Sequence, residues 1–433
     1  MTNSKPKRIS RLEGRNSETY VAAIPGSKSY TNRALVIAAM RMGTTHVTNG
    51  LICDDTVRLA KALDSFVGLS VTQTDDGFRV ERSQERVGAP AGPCDMGGAG
   101  TPARFMLAFA ASAEGETVVT GNARLCERPM GDILDAMRNM GLTVDCEGTD
   151  GCLPARVHGG APTTKEWKIR GDVSSQFTSS LILYASQQAE GPISIHVEGT
   201  IVSRPYVEMT LSMMGKCGLR AERTSDRDFV VHPGAPQSDT VAVEVDASGM
   251  SYYLAAAAIT QTTVEIRGIG GDSAQGDVGL ARAFESMGCE LTVGDDFLRL
   301  TGKPLRGIEI DMDTMPDVVM SLAMAAAVAE GTTKVVNIAN LRVKECDRIH
   351  ATAAELTKLG GNVEEGEDFL VIHPQPLSGA SIHCYDDHRV AMAFGTLGLV
   401  VDGVEIEDPD CVVKSFPNFW DEMARFRAHH GEG

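Results

Sequence analysis

Five stretches of the chain share one layout: apolar residues at helical spacing that end on a glycine, with a short β-rich run behind it. They are LAKALDSFVGLSV at Leu59–Val71, ILDAMRNMGLTV at Ile133–Val144, LSMMGKCGLRA at Leu211–Ala221, LARAFESMGCELTV at Leu280–Val293 and AAELTKLGGNV at Ala353–Val363. The closing glycines, Gly68, Gly141, Gly218, Gly288 and Gly360, follow one another at intervals of 73, 77, 70 and 72 residues. Glycine takes the left-handed position just past a helix at little cost, so each predicts a helix end. Turn-rich pieces such as Asp75-Asp76-Gly77, Ser225–Asp228, Gly294-Asp295-Asp296 and Gly366-Glu367-Asp368 then predict hairpins. A further β-rich run precedes the helix in several copies, as at Thr117–Thr120, Ile193–Val197 and Thr263–Ile266. A sixth helix is predicted around Phe419–Phe426, where a last copy would be truncated. The pattern predicts an α/β protein made of six copies of a module of about seventy residues.

With 433 residues, more than one core is expected, and six modules divide into three per domain. The domains are expected at 26–245 and at 1–25 plus 246–433, so that an N-terminal strand joins the second half. The apolar run Val318–Ala329 is shorter than the roughly 18–20 residues of a membrane span and reads as a buried helix. The opening Met1–Lys7 has basic residues but no apolar stretch behind them, unlike a secretory signal. Ten cysteines occur without a C-x-x-C pair, which disfavours zinc and a disulfide framework and suits free thiols in a reducing cytoplasm.

Charge changes the picture. The chain carries a formal −18, which argues against nucleic acid as a partner. Against that background, Lys and Arg recur in small charged islands beside turn-forming residues: Gly26-Ser27-Lys28-Ser29, Gly100–Arg104, Glu127-Arg128-Pro129, Lys344–Arg348, Asp387-His388-Arg389 and Val413-Lys414-Ser415. Fixed cations in an acidic chain point to small anionic ligands, because Arg grips phosphate and carboxylate bidentately and Lys supplies a point charge. Lys28 and Arg33 flank a predicted helix start, where backbone N–H groups add to the attraction. A Ser-capped helix with surface cations explains that segment as well, and the spacing of a Walker A loop is missing. Gly97–Arg104 repeats the arrangement, Ser174-Ser175-Gln176 reads as a cap or a ligand loop, and Ser203-Arg204-Pro205 opens another helix. Asp317 stands in a first helical turn, and Glu345 lies between Lys344 and Arg348, which favours its ionised form. His388 is open between a proton carrier and a structural histidine.

In order along the chain, these islands resemble the enolpyruvyl transferases, in the branch whose acceptor is shikimate 3-phosphate. The resemblance covers about Ile24 to Trp420 and rests on PGSKSYTNRAL at Pro25–Leu35, SSQF at Ser174–Phe177 and SRPY at Ser203–Tyr206. It continues through DASGMSYYLAAAA at Asp246–Ala258, QGD at Gln275–Asp277, RVKECDR at Arg342–Arg348 and DDHRVAM at Asp386–Met392. Gly98, Phe105 and Leu341 depart from residues common in the family. The fold it implies is a two-domain inside-out α/β barrel of βαβαββ-like repeats, three per domain. The activity it implies moves the enolpyruvyl group of phosphoenolpyruvate to the 5-hydroxyl of shikimate 3-phosphate and releases phosphate, with no cofactor and no metal, in a cytoplasmic monomer.

The resemblance also implies residue roles. Shikimate 3-phosphate would contact Lys28, Ser29, Arg33, Ser174, Ser175, Gln176, Ser203, Asp317, Asn340 and Lys344. Phosphoenolpyruvate would contact Lys28, Gly100, Arg128, Gln176, Arg348, Arg389 and Lys414. Asp317 and Glu345 would form the acid/base pair, with Lys28 and His388 as further catalytic candidates. Ligands are expected between the two domains. The nearest alternative is the sister enzyme that uses UDP-N-acetylglucosamine as acceptor. It typically has Lys-Asn in place of Lys28-Ser29 and a loop cysteine several residues before its Arg-Pro; Cys126 lies only two residues before Arg128 and is taken as incidental.

Overall fold

The computed structural model describes residues 5–188 and 191–431. The first residues of the opening segment weighed against a secretory signal, 1–4, lie outside them. The chain forms two compact units, Gly26–Glu244 and Met1–Pro25 with Val245–Gly433.

Each unit is built from three copies of one β-α-β-α-β-β module. The middle copy of the contiguous unit runs strand Cys94–Asp95, helix Gly100–Ala110, strand Glu116–Thr120, helix Gly131–Asn139 (after a short helical turn at Ala123–Glu127), then strands Val144–Cys146 and Ala155–His158. In its sheet the first two strands are parallel, and the last two form an antiparallel hairpin whose second strand pairs with Glu116–Thr120. Four other sheets repeat this order. The sixth has three strands: Ser381–Ile382 parallel to Glu405–Ile406, closed by Lys7–Arg8 from the start of the chain.

Two strands come from outside the local run of sequence. Thr240–Ala242 supplies the parallel edge beside Gly43–Thr48 in the contiguous unit. Thr19–Ala22 does the same beside Thr263–Arg267 in the other. Each module's first strand thus precedes its helix in space even where it does not in sequence.

The sheets lie outside and three helices lie in the middle of each unit. Helices Ala247–Thr260, Val319–Ala326 and His388–Leu397 are buried at every position, as expected of a helix that is apolar all round. Their counterparts Lys28–Met40, Gly100–Ala110 and Ser175–Ser186 are buried except at Lys28, Ser29, Thr101 and Gln176. Those four exceptions are all polar residues of a first turn. The second helix of each module is amphipathic and ends where the sequence places its glycine. Gly68, Gly141, Gly218, Gly288 and Gly360 have φ of 93°, 89°, 81°, 114° and 92°, the left-handed region that favours glycine. Strands such as Ile193–Glu198 alternate buried and exposed residues against this core. No helix among the described residues is long and apolar enough to cross a membrane.

Candidate active site

Three of the charged islands sit at the N-terminal ends of central helices, where unbonded N–H groups favour negative charge. Lys344–Arg348 instead leads into the outer helix Arg348–Lys358, and Arg128 and Lys414 stand on connecting segments. In the contiguous unit, Ser27 caps Lys28–Met40, and the Lys28 Nζ lies 3.1 Å from Asp55 Oδ2 in a mostly buried pair. Ser174 caps Ser175–Ser186. Its Oγ accepts from Arg104 Nη1 at 3.4 Å, and Arg104 also donates to Gln176 Oε1. Gln176 Nε2 reaches Thr101 Oγ1 at 2.8 Å, which joins two helix starts. Ser203 is buried and holds a left-handed backbone, φ 52°, just before its helix.

Arg33 is committed to the protein. It is 1% exposed and donates to Thr210 Oγ1 (2.7 Å), Ser29 O (2.9 Å), Tyr206 O (2.8 Å) and Ser179 Oγ (3.4 Å), with its guanidinium 5.3 Å from the Phe105 ring centre. Burial lowers its pKa to about 10. Its fixed bonds hold Ser29 and the helix at Tyr206 in place.

Arg128 is the opposite case. It is 6% exposed, yet among the described residues its Nε has no hydrogen-bond partner and no carboxylate pairs with it. It packs on the start of Gly100–Ala110, so closely that a Cβ at Gly100 would lie 2.6 Å from Arg128 Nη1. The Ala99 side chain provides no cap for that helix. A buried cation without a partner beside open helix N–H groups is a receptor for an anion.

In the other unit, the cations and carboxylates form one connected network around Arg348, which is 1% exposed. Arg348 Nε lies 2.7 Å from Asp387 Oδ2, Nη1 lies 3.0 Å from Asp317 Oδ1, and Nη2 lies 3.0 Å from Glu345 Oε2. Arg389 Nη2 reaches Asp317 Oδ2 at 2.9 Å, Lys344 Nζ lies 3.7 Å from Asp317 Oδ1, and Lys414 Nζ lies 3.5 Å from Glu345 Oε1. Four cations thus face three carboxylates, which leaves room for an anion. Asn340 lies on the 3₁₀ turn Ala339–Val343 just before Lys344. His388 is fully buried, with Nδ1 3.7 Å from Asp387 Oδ1.

Burial pushes the Asp317 carboxyl up, but Arg389, Lys344 and Arg348 pull harder and hold it well below the usual carboxylate range. It is an ionised acceptor at neutral pH. Asp277 behaves differently. Burial, then repulsion from Asp317, raises it to about 7. Its Oδ2 accepts from Ser248 Oγ, and its Oδ1 has no partner among the described residues.

A folded-state value above the ordinary one means that ionising Asp277 in place costs stability. That cost is absent below about pH 4, grows as pH rises to about 7 and is constant above. Asp277→Asn, which keeps an acceptor for Ser248, should therefore stabilise the protein at pH 8 by up to roughly 4 kcal/mol and far less at pH 5. Chemical denaturation at the two pH values measures the difference; an equal effect at both would contradict the shift.

Sequence reasoning named Asp387 and Asp277 within motifs but gave them no role. Asp387 is the buried carboxylate that orients Arg348, and it also caps its own helix by accepting from Arg389 N at 2.9 Å. The local signal, Asp before a helix, shows only the cap. Asp55, the partner of Lys28, is a first-turn acid with the same ambiguity. Cys126 is half-buried and donates to Gly121 O at 3.5 Å.

With this geometry in hand, the likeness to known proteins is broad. The family model for EPSP synthase (3-phosphoshikimate 1-carboxyvinyltransferase) matches residues 12–423. A 3-phosphoshikimate 1-carboxyvinyltransferase of Shewanella denitrificans is 41% identical over 408 residues, covering 93% of this chain and 95% of the relative. One from Nitrosomonas europaea is 40% identical over 415 residues, covering 93% and 94%. Among solved structures, an EPSP synthase of Acinetobacter baumannii superposes with a TM-score of 0.81 at 27% identity, covering 96% of this chain and 98% of that one. An enolpyruvyl transferase of Streptomyces tendae shares the fold with a TM-score of 0.74 at 18% identity, covering 97% of each. The chain belongs to the EPSP synthase family, the 3-phosphoshikimate 1-carboxyvinyltransferases.

Proposed function

We propose that the protein transfers the enolpyruvyl group of phosphoenolpyruvate to the 5-hydroxyl of shikimate 3-phosphate and releases inorganic phosphate, a step toward chorismate and the aromatic amino acids. The observation that carries this reading is the network around Arg348, in which an ionised carboxylate stands among more cations than it can neutralise. Addition followed by elimination needs such a mixture: fixed positive charge for two anionic substrates, and carboxylates that exchange protons with them.

Phosphoenolpyruvate is assigned to Arg128, Gly100, Gln176, Lys28, Arg348, Arg389 and Lys414. Shikimate 3-phosphate is assigned to Lys28, Ser29, Arg33, Ser174, Ser175, Gln176, Ser203, Asp317, Asn340 and Lys344. In the addition step, Asp317 takes the proton of the 5-hydroxyl as its oxygen bonds to the enol carbon. Glu345, which takes up a proton once phosphoenolpyruvate engages Arg348 and Lys414, protonates the methylene carbon. In the elimination step, the bond from that carbon to the phosphate oxygen breaks. Glu345 recovers a proton from the new methyl group, and the proton held by Asp317 leaves with phosphate. Lys28 neutralises charge on the phosphate. His388, buried beside Asp387, supports the start of the helix that carries Arg389.

Phosphate release from phosphoenolpyruvate separates the readings. It is expected with shikimate 3-phosphate and not with UDP-N-acetylglucosamine or with neither; release with the UDP-sugar would overturn the proposal. We further take the protein as a cytoplasmic monomer, because all ten cysteines are free thiols and one chain supplies the whole residue set. Arg128→Ala should raise the KM for phosphoenolpyruvate by about 10- to 100-fold, the worth of a charge-assisted hydrogen bond, with less effect on shikimate 3-phosphate. Gly100→Ala should act in the same direction, because its methyl group displaces the Arg128 guanidinium and leaves the core intact. Steady-state kinetics with each substrate varied in turn decides this.

A further inference from the structure

The segment that leads into the helix of Arg389 is strained. Tyr385 and Asp386 have φ of 56° and 55°, two successive residues with side chains in the left-handed region. Asp387 N donates to Cys384 O at 2.8 Å, so Cys384–Asp387 form a turn whose central pair both have positive φ, the pattern of type I′. Glycine takes that region at no steric cost, and the short polar side chains of asparagine and aspartate tolerate it; a bulky tyrosine there is an outlier. Such a conformation persists only where the surroundings over-determine it.

One buried carboxylate grips the turn. Tyr385 Oη donates to Glu355 Oε1 at 2.9 Å, and His383 N donates to Glu355 Oε2 at 3.1 Å. Glu355 is 1% exposed and lies in the helix Arg348–Lys358, where Lys358 Nζ sits 2.6 Å from its Oε2. Burial, and then the bond to Glu355, pushes the Tyr385 hydroxyl up to about 12, so it keeps its proton at neutral pH. The rings of Tyr385 and His383 meet edge to face with their centres 4.6 Å apart. The two ends of this arrangement carry site residues. The helix of Glu355 begins with Arg348, about 10 Å away along its axis. The turn ends on Asp387, which bonds Arg348 through both carboxylate oxygens and accepts from Arg389 N. Helix and turn are therefore joined twice, at Arg348 with Asp387 and at Glu355 with His383 and Tyr385. Without the second joint the turn relaxes toward ordinary φ values, and Asp387 moves with it.

We propose that Glu355 and Tyr385 are positioning residues for the reaction: their hydrogen bond holds the turn Cys384–Asp387 in its left-handed form and so fixes the guanidinium groups of Arg348 and Arg389 at the spacing that phosphoenolpyruvate requires. The proposal rests on the assignment of these two arginines to that substrate. Neither Glu355 nor Tyr385 is itself assigned to a substrate; both act through Asp387. A misplacement of about 1 Å is enough to cost a site much of its effect.

Tyr385→Phe, which removes only the hydroxyl, should raise the KM for phosphoenolpyruvate about tenfold, with less effect on that for shikimate 3-phosphate. Glu355→Met, of similar length but without acceptor oxygens, should raise it at least as much. Tyr385→Phe should then add nothing in the Glu355→Met background, because the bond it removes is already gone. An equal rise in both KM values, or a fall in kcat alone, is what a merely structural role gives and overturns the proposal. So does an effect of Tyr385→Phe that persists in full beside Glu355→Met. If Glu355→Met does not fold, the split between the two KM values in Tyr385→Phe decides. Chemical denaturation of the same variants without substrate reads the hydrogen bond itself, as a non-additive loss of stability. Coupling there with unchanged KM values overturns the kinetic role. Failure of the substrate assignment shows differently, as a parent protein that releases no phosphate from phosphoenolpyruvate.

Discussion

Asp317→Ala and Glu345→Ala proteins should bind at least one substrate and turn over on the order of 10²–10⁴-fold more slowly, the range for groups that move protons in a transition state. Both carboxylates lie among cations that attract anionic ligands, so removing one does not weaken that attraction. Asp317 differs in one respect. It is held ionised by Arg389, Lys344 and Arg348, and its loss also frees those cations. Its Ala variant should therefore bind phosphoenolpyruvate at least as tightly as the parent while losing turnover. Equilibrium binding beside single-turnover kinetics separates the two effects. Near-normal turnover in Glu345→Ala would remove it from the proton path and leave His388 or Lys28 as the next candidate.

The second large effect is on stability. Arg348→Met should destabilise the ligand-free protein by about 3–5 kcal/mol, because it strands the buried Asp387 carboxylate that Arg348 now pairs. Asp387 is fully buried and takes two of the guanidinium's bonds, and Asp317 and Glu345 take the others. Burial opposes the charge on Arg348, but Asp387, Glu345 and Asp317 outweigh it and hold the guanidinium protonated. Chemical denaturation of the ligand-free variant beside the parent measures the deficit. A loss below about 1 kcal/mol would show that Arg348 is not what stabilises the buried Asp387 carboxylate.

The architecture was legible because its signals are local. A helix that ends on a left-handed glycine and runs into a hairpin leaves the same mark wherever it occurs, and Gly68, Gly141, Gly218, Gly288 and Gly360 all adopt the expected backbone. The charged islands were legible for the same reason, since most of them lie next to the start of a helix. What each cation does was not. Arg33 and Arg128 look alike in the sequence, yet one is bonded to Thr210, 177 positions away, and the other has no partner among the described residues. Asp387 shows in sequence as a helix cap, while its stronger bond is to Arg348, 39 positions earlier. Asp277 owes its altered acidity first to burial and then to Asp317, which only the packing of separate modules brings near. Local pattern names the modules; pairing across them decides the electrostatics.

The route of the chain through its sheets bears on how it folds during synthesis. Residues Gly26–Glu244 close upon themselves: Ser27 N donates to Glu244 O at 2.7 Å, and the strand Thr240–Ala242 completes the sheet begun at Gly43–Thr48. That unit has all of its strands once residue 244 has left the ribosome. The other unit must wait. Its strands Thr19–Ala22 and Lys7–Arg8 are made first, but they pair with Thr263–Arg267 and Glu405–Ile406, which emerge only after the whole contiguous unit. At about 5–20 residues per second, the early strands spend ten seconds or more with unpaired edges while the later partners are made. The start of the polypeptide is therefore the segment most in need of chaperone protection, although it belongs to the half completed second.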